Sequence, residues 1–383
     1  MPIPRFMLDQ NVFDAAVDRY VHMYEAGDRI VVSFSGGKDS TVCLELAIIA
    51  AKLTGNLPVD VAMRDDEIMF PGTFEYSERV AERKDEVRFW WIIQNQPVIN
   101  MFTRDMPYFW CFDPLLPPEQ WTRQPPEWAT YLDSINIERI IHPEIMPPPE
   151  GKRLVAIIGM RVQESMRRRR GLYSSGSYMT KPNRYGVLNS RPIYDWTDGD
   201  IWKAIHDHKW DYNDAYDVMH RLGVSRNALR IAPPTQTQAA IDALWVAARA
   251  WPRWFDTVCA RLPGIRSAAM FGKRSILPYR ALGQTWEEVY RQQCIKDAPA
   301  WIAERAQSVM DSYLGFHARH SDGPFPEIQG CSKCGEPLGA WKRLAYIMYM
   351  GDPFSLKQSV VPAVDPEKFR AGSGTWEGGK PAW

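Results

Sequence analysis

Two short stretches carry side chains at spacings that could do chemistry. The first is SFSGGKDS, from Ser33 to Ser40, between a β-branched run, RIVVSF (29–34), and a helix-compatible run, TVCLELAIIAAKL. The adjacent glycines Gly36 and Gly37 let the backbone approach an anion closely and take turn dihedrals closed to other residues. The N–H groups at the start of a helix, with its partial positive end, favour phosphate or sulfate. Ser35 and Ser40 add hydroxyls, and Lys38 adds a point charge. Asp39 suits either a magnesium ligand or a carboxylate at a helix start. An isolated Gly-Gly pair would mark only a tight turn; the whole string between a strand and a helix marks an anion site, although it is not the GxxxxGK[ST] loop.

The second stretch is GFHARHSDGPFPEIQGCSKCGEP (315–337). Its pairs His317/His320 and Cys331/Cys334 offer two short-spaced sets of N and S ligands, the donor types of a tetrahedral zinc site. Gly335 after the second cysteine suits a knuckle turn, and the Lys333 charge favours thiolate. Cys294 is an alternative to one histidine. Two other readings stand beside the metal: histidines closing an exposed helix, and a redox dithiol.

The elements that must position these groups follow from periodicity. Apolar residues at helical spacing over 11–26 predict a helix ahead of the first strand. Strands are expected at 29–34, 59–64, 88–94 and 153–159, with helices over 40–53, 72–87 and 198–210. Strand and helix alternating over the first hundred residues predict an α/β fold, a doubly wound and mostly parallel sheet. Residues 105–150 are rich in proline and tryptophan and read as one insertion whose aromatics need burial. An α/β domain carrying the glycine loop is therefore expected over 1–235, a mainly α-helical C-terminal domain over 236–350, and a polar tail over 351–383. His206 and His208 lie on different faces of their helix and do not share a ligand. The sixteen tryptophans are spread among apolar positions and read as core rather than as base-stacking platforms.

Composition narrows the classes. Lys+Arg and Asp+Glu are both 46, so the net charge is zero and gives no support to wholesale coating of nucleic acid. The run Arg167–Arg170 is a local exception, either a solvated basic helix end or an anion contact. Six dispersed cysteines do not make a disulfide scaffold. With no signal-like N-terminus and no apolar run near 18 residues, the expectation is a soluble, cytoplasmic protein.

With three further segments, SGGKDS resembles the PP-loop (N-type ATP pyrophosphatase) superfamily, and within it the phosphoadenosine-phosphosulfate (PAPS) reductases. DDEIMFPGTFEY (65–76) is similar to their D-T-G-x-x-F-P-E-T-Y-x-F segment through Asp66, Phe70, Pro71, Thr73 and Phe74. IGMRVQESMRRR (158–169) is similar to G-x-R-x-x-E-S-x-x-R through Gly159, Arg161, Glu164, Ser165 and Arg168. RPIYDWTDGDIWKAIHDHKWDYNDAYD (191–217) matches the family's P-I-x-D-W-T segment through Pro192, Asp195, Trp196, Asp200, Trp202, Tyr212, Asn213 and Tyr216. The four segments cover about residues 28–220, in order.

This resemblance implies an adenine-nucleotide α-hydrolase-like sheet and chemistry at, or next to, the α-phosphate of ATP, PAPS or adenylyl sulfate, with magnesium. It implies that Ser33, Ser35, Gly36, Gly37, Lys38, Asp39, Ser40, Asp66, Gly159, Arg161, Glu164 and Arg168 hold the nucleotide. Lys38, Asp39, Asp66 and Arg161 would be nearest the chemistry. Large relatives of this type imply a ParB/sulfiredoxin-like protein partner. The chain departs from the reductases in having no E-C-G-I-H string, whose cysteine attacks sulfur, and no Cys-Cys pair. Three functions stay open: a PAPS reductase-like enzyme, an ATP-dependent enzyme of nucleic-acid sulfur modification, and a nucleotide-sensing regulator. Asp198 is read, with Thr197, only as a helix cap.

Overall fold

The computed structural model describes residues 8–134, 136–231, 244–271, 276–357 and 359–369. The chain forms two compact units. One comprises Met1–Gln96 with Arg123–Ala232; the other comprises Pro97–Thr122 with Pro233–Trp383.

In the first unit, α1 (Val12–Glu25) starts at Asn11, whose side chain accepts from the Asp14 N–H. There follow β1 (Arg29–Ser33), α2 (Lys38–Thr54), β2 (Val59–Asp65), α3 (Thr73–Ala81) and β3 (Val87–Gln94). The chain then enters the second unit as a hairpin, β4 (Pro97–Ile99) and β5 (Tyr108–Trp110). Back in the first unit come β6 (Thr130–Leu132), β7 (Leu154–Ile157), α4 (Met166–Ser175), β8 (Leu188–Ser190), α5 (Asp198–Asp207) and α6 (Ala215–Arg221).

The sheet has the order β6-β3-β2-β1-β7-β8, and every pairing in it is parallel. The fold is therefore α/β with a doubly wound sheet whose order reverses at β1. In such sheets the crevice at the carboxyl ends of the strands flanking the reversal is where ligands bind. Here those strands are β1 and β7.

Strand alternation divides the core. Ile30, Val32, Val61, Met63, Val155 and Ile157 join a cluster with Tyr20 of α1, Leu44 of α2 and Ile201 of α5. Val31, Ala62, Leu154 and Ala156 pack instead with Ile140, Met146 and Val187. Helices α1, α2 and α5 thus contribute to the first cluster, and residues around 140–146 contribute to the second. The continuous apolar run of α2 is explained by burial nearly all round, down to its first residue, Lys38.

The second unit adds helices α7 (Leu244–Ala250), α8 (Pro252–Arg261), α9 (Ile265–Phe271), α10 (Trp286–Val289), α11 (Ala300–His320) and α12 (Trp341–Met348). A π-helical stretch, Tyr290–Lys296, continues α10. Its core joins Trp286, Tyr290, Val309, Met310, Trp341 and Leu344. The polar tail is held as far as Phe369. The Arg305 guanidinium donates to the carbonyls of Gly351, Asp352 and Pro362, and Phe369 is buried with Tyr108 and Trp301.

Several expectations change in detail. The helix expected over 72–87 stops at Ala81, because a turn over 82–86 hands the chain to β3. The insertion is not one body: 97–122 belongs to the second unit, while 123–150 returns to the first and supplies the edge strand β6. Within the region expected to be mainly helical, the chain breaks at Asp297–Pro299, where proline precedes α11. Residues 236–243 and 370–383, at the start of the expected helical domain and in the tail, lie outside the described residues. No helix among the described residues is long and apolar enough to cross a membrane.

Candidate functional site

The glycine loop links the carboxyl end of β1 to α2. Gly36 has φ +67°, a left-handed conformation that favours glycine, and a Cβ there would lie 2.8 Å from Thr73 Cγ2. Gly37 is the N-cap residue of α2, so the first-turn N–H groups have no partner within the helix. Ser40 Oγ donates to the Gly37 carbonyl at 2.8 Å and accepts from the Ser35 N–H at 3.3 Å. Ser35 Oγ lies 3.2 Å from Ser40 Oγ, so the two hydroxyls staple the loop across its base. Ser33 and Ser35 are exposed at the strand end, while Gly36, Lys38 and Ser40 are buried.

The last of the four sequence segments braces this loop. Asn213 Nδ2 donates to the Gly36 carbonyl at 3.2 Å and to Thr73 Oγ1 at 2.9 Å, and its Oδ1 accepts from the Ala215 N–H. The Lys38 N–H donates to the Tyr216 hydroxyl at 3.0 Å. Burial pushes the Tyr216 phenol well above its ordinary value, so it stays neutral. Thr73 and Asn213, matched only as family positions in the sequence, thus hold the outer wall of the cradle.

The segment after β7 closes the other side. A Cβ on Gly159 would lie 3.0 Å from the backbone carbon of Asp39 and 3.2 Å from its Cβ, so this position needs glycine for close approach. Arg161 is buried; its Nε donates to Asp39 Oδ1 at 2.5 Å and its Nη2 lies 3.5 Å from Asp198 Oδ1. Glu164 Oε1 is 3.9 Å from Arg161 Nη2, and its other oxygen pairs with Arg168. Partial burial, then the Arg230 guanidinium, push Arg168 below its ordinary value, and nearby Asp39 opposes them. Ser165 caps α4 by accepting from the Arg168 N–H, and Arg167, Arg168 and Arg170 are exposed. Arg168 therefore pairs with Glu164 beside Arg161, while Arg167 and Arg170 form a solvated helix end.

Asp198 is the residue whose role is not visible in the sequence. Thr197 makes the cap, in a capping box with Asp200. That leaves Asp198 to receive Lys38 Nζ at 3.0 Å, Arg161 at 3.5 Å and Arg226 Nε at 3.8 Å. The Lys38 ammonium is also 5.8 Å from the ring centres of both Trp202 and Tyr216. Arg226 and Arg230 follow the last matched segment, and no sequence pattern singled them out. Lys38, Arg161, Arg168 and Arg226 thus form a cation cluster around Asp39, Asp198 and Glu164, with Arg230 near Arg168. The four paired cations are held by carboxylates that an incoming phosphate can replace charge for charge.

Asp66 is buried beyond the end of β2 and pairs with Arg64 at 2.6 Å; burial raises its carboxyl above the ordinary value. Its neighbour Asp65 is fully engaged, accepting from Trp91 Nε1 and the Glu67 N–H and pairing with Arg123. The Arg123 guanidinium lies 3.2 Å over the Phe74 ring. Cys43, the one cysteine in this unit's sequence, is wholly buried in α2, and burial pushes its thiol far above its ordinary value. It is not a nucleophile.

In the second unit, His317, Cys331 and Cys334 place one ligand atom each within 4.8 Å of one another. His320 is not among them: it is exposed, stacks on Phe316, and its Nδ1 lies 2.9 Å from the Phe316 carbonyl. Cys294, the alternative ligand, is buried in the helical core with its sulfur towards the Ala345 carbonyl. The Cys334 N–H, with the Lys333 N–H, pulls the Cys331 thiol down to about 7.

No protein-family model matches the chain. It is 25% identical over 378 residues to the uncharacterized protein YbdN of Escherichia coli (strain K12), covering 92% of this chain and 91% of YbdN. Among solved structures, it is similar to the Candida glabrata FMN adenylyltransferase in complex with FMN and the ATP analog AMPCPP. That match has a TM-score of 0.32 and 11% identity over 55% of this chain. It spans 64% of the adenylyltransferase chain, less than two thirds of its length. A PAPS reductase from Candida auris, solved as a phosphate complex, matches with a TM-score of 0.30 and 13% identity, over 60% of this chain and 98% of that one.

Proposed function

We propose that the first unit is a PP-loop domain of PAPS reductase-like type. It binds an adenine nucleotide (ATP, PAPS or adenylyl sulfate) and acts at its α-phosphate or the attached sulfate. One observation carries this reading: the three other matched segments converge on the glycine loop at the reversal of a parallel sheet, the 65–76 segment through Thr73 beside Gly36. Gly159 packs on Asp39, Arg161 pairs with Asp39, Asn213 holds Gly36 and Tyr216 holds Lys38. Such a site lies where open parallel sheets bind nucleotides, and preorganised cations at the phosphate are the main catalytic resource for phosphoryl chemistry.

In this reading the loop N–H groups, Lys38 and Arg161 take the phosphates, and Arg168 takes a terminal phosphate or sulfate. Asp39 and Asp198 are the oxygen donors that suit magnesium, which would neutralise charge on the phosphates. A reductive step needs a thiol, and in this unit's sequence the single thiol, Cys43, is sealed in the core. That burial favours attack on the α-phosphate, with pyrophosphate as leaving group when ATP is the substrate, over sulfite formation by this unit alone.

The test is incubation of the full chain with labelled ATP, PAPS or adenylyl sulfate and magnesium. Pyrophosphate formed with an acceptor supports adenylation, as a nucleic-acid sulfur-modifying enzyme would show; sulfite supports the reductase. Binding without turnover supports a nucleotide sensor. Lys38→Ala should weaken nucleotide binding at least about tenfold, because a charge-assisted hydrogen bond is worth ~1.5–3 kcal/mol. Unchanged binding would overturn the proposal.

A further inference from the structure

We propose that His317, Cys331 and Cys334 bind a zinc ion with three protein ligands and leave the fourth position to an exchangeable ligand. This site lies outside the nucleotide loop and does not depend on that loop's function.

The argument begins with the tautomer. His317, in the last turn of α11, is buried, and its Nε2 lies 3.0 Å from the Gly323 carbonyl. A carbonyl only accepts, so Nε2 carries the proton and donates. Nδ1 is then the lone-pair nitrogen, and it is the atom facing Cys334 Sγ, at 3.7 Å. A neutral imidazole anchored through one nitrogen to a backbone carbonyl and offering the other is the usual support of a metal-binding histidine. Phe325, edge-on to the ring at 5.4 Å, restricts its rotation.

The spacing fits the ion. Tetrahedral zinc, with Zn–S about 2.3 Å and Zn–N about 2.0–2.1 Å, has an S–N edge of about 3.6 Å. The observed 3.7 Å between sulfur and Nδ1 matches it, and all three ligand atoms lie within 4.8 Å. The cysteines come from a tight knuckle. The Gly335 N–H donates to the Cys331 carbonyl at 3.0 Å, and Gly335 has φ +67°. Two thiolates and one imidazole select a borderline-soft ion without geometric demands, which is zinc rather than magnesium or calcium.

Among the described residues no fourth His, Cys, Asp or Glu joins the group. His320 and Cys294 are turned to other partners. Both cysteines are only partly buried, so solvent or an incoming ligand reaches the metal. Three protein ligands with one open position is the pattern of zinc sites that exchange a ligand.

The full-length protein, purified after growth with zinc chloride, should hold about one zinc ion per chain by elemental analysis. Cys331→Ser/Cys334→Ser and His317→Ala should lose it, while His320→Ala and Cys294→Ala should keep it. Cobalt chloride added to the metal-stripped wild-type chain should give intense tetrahedral bands with thiolate charge transfer, a readout that needs no variant. Added imidazole should shift those bands by entering the open position. Pale octahedral cobalt, sub-stoichiometric zinc in the wild type, or recovery of the two cysteines as a disulfide after anaerobic purification would each overturn the proposal. Zinc retained by His317→Ala but lost by His320→Ala would do so too.

Discussion

Lys38 Nζ is 3.0 Å from Asp198 Oδ1, joining the first residue of α2 to the first residue of α5. Both residues are the first of a helix, where the dipole welcomes a carboxylate and not an ammonium. Lys38 is therefore held there against its own helix end by Asp198 and by the rings of Trp202 and Tyr216. A phosphate bound at the loop must draw Lys38 from this partner.

Asp198→Asn removes the competitor. In EDTA, AMP should bind about fivefold more tightly, ~1 kcal/mol for a partly exposed ion pair. Calorimetric titration checks this. Equal or weaker AMP binding would show that Asp198 does not compete for Lys38.

Asn213→Ala removes three bonds from the loop wall and leaves the buried Gly36 carbonyl and Thr73 hydroxyl short of a donor. The cost should be about 1–3 kcal/mol by urea unfolding, with nucleotide affinity reduced as well. Tyr216→Phe, which loses one bond to the Lys38 N–H, should cost about 1 kcal/mol.

Arg123→Ala should be more destabilising than either. It strips the guanidinium from Asp65, whose side chain has 0% exposure, and removes the stack on Phe74. Leaving one charge of a buried pair typically costs about 3–5 kcal/mol. Arg123→Lys should recover only part of this, because an ammonium lacks the planar face that packs on the ring. Full recovery with lysine would argue against the stack.

Asp66→Asn should stabilise the protein at neutral pH. Burial raises the folded carboxyl above its unfolded value despite Arg64. A raised pKa means that the folded state holds the proton more tightly. The stabilising contribution is fully present below about pH 3.9, the ordinary aspartate value, and is lost as pH rises through the folded pKa. Above that window ionised Asp66 costs stability, and the asparagine should raise Tm. Equal Tm values at neutral pH would contradict this.

Local sequence determined much of the molecule. The β-branched run before SGGKDS, the two glycines and the long apolar run after them specify strand, loop and helix, because strand alternation, left-handed backbone and helix burial depend on nearest neighbours. The order of strand and helix likewise made a parallel α/β sheet legible. The pairings that turn the loop into a site were not legible. The Lys38 N–H meets a hydroxyl 178 residues away, and Arg161 meets Asp39 across 122 residues. Such contacts depend on strand order, which places the ends of β1 and β7 side by side, and no local pattern encodes that order. The same holds for the second candidate site. The spacing offered His317 and His320 equally, both in the last turn of α11. Only the fold buries one ring against the Gly323 carbonyl and turns it towards Cys334, while the other stays exposed on Phe316. Sequence supplied the ligand types and the loop chemistry; tertiary packing decided which copies of them converge, because convergence is a property of distances between elements that the chain meets far apart.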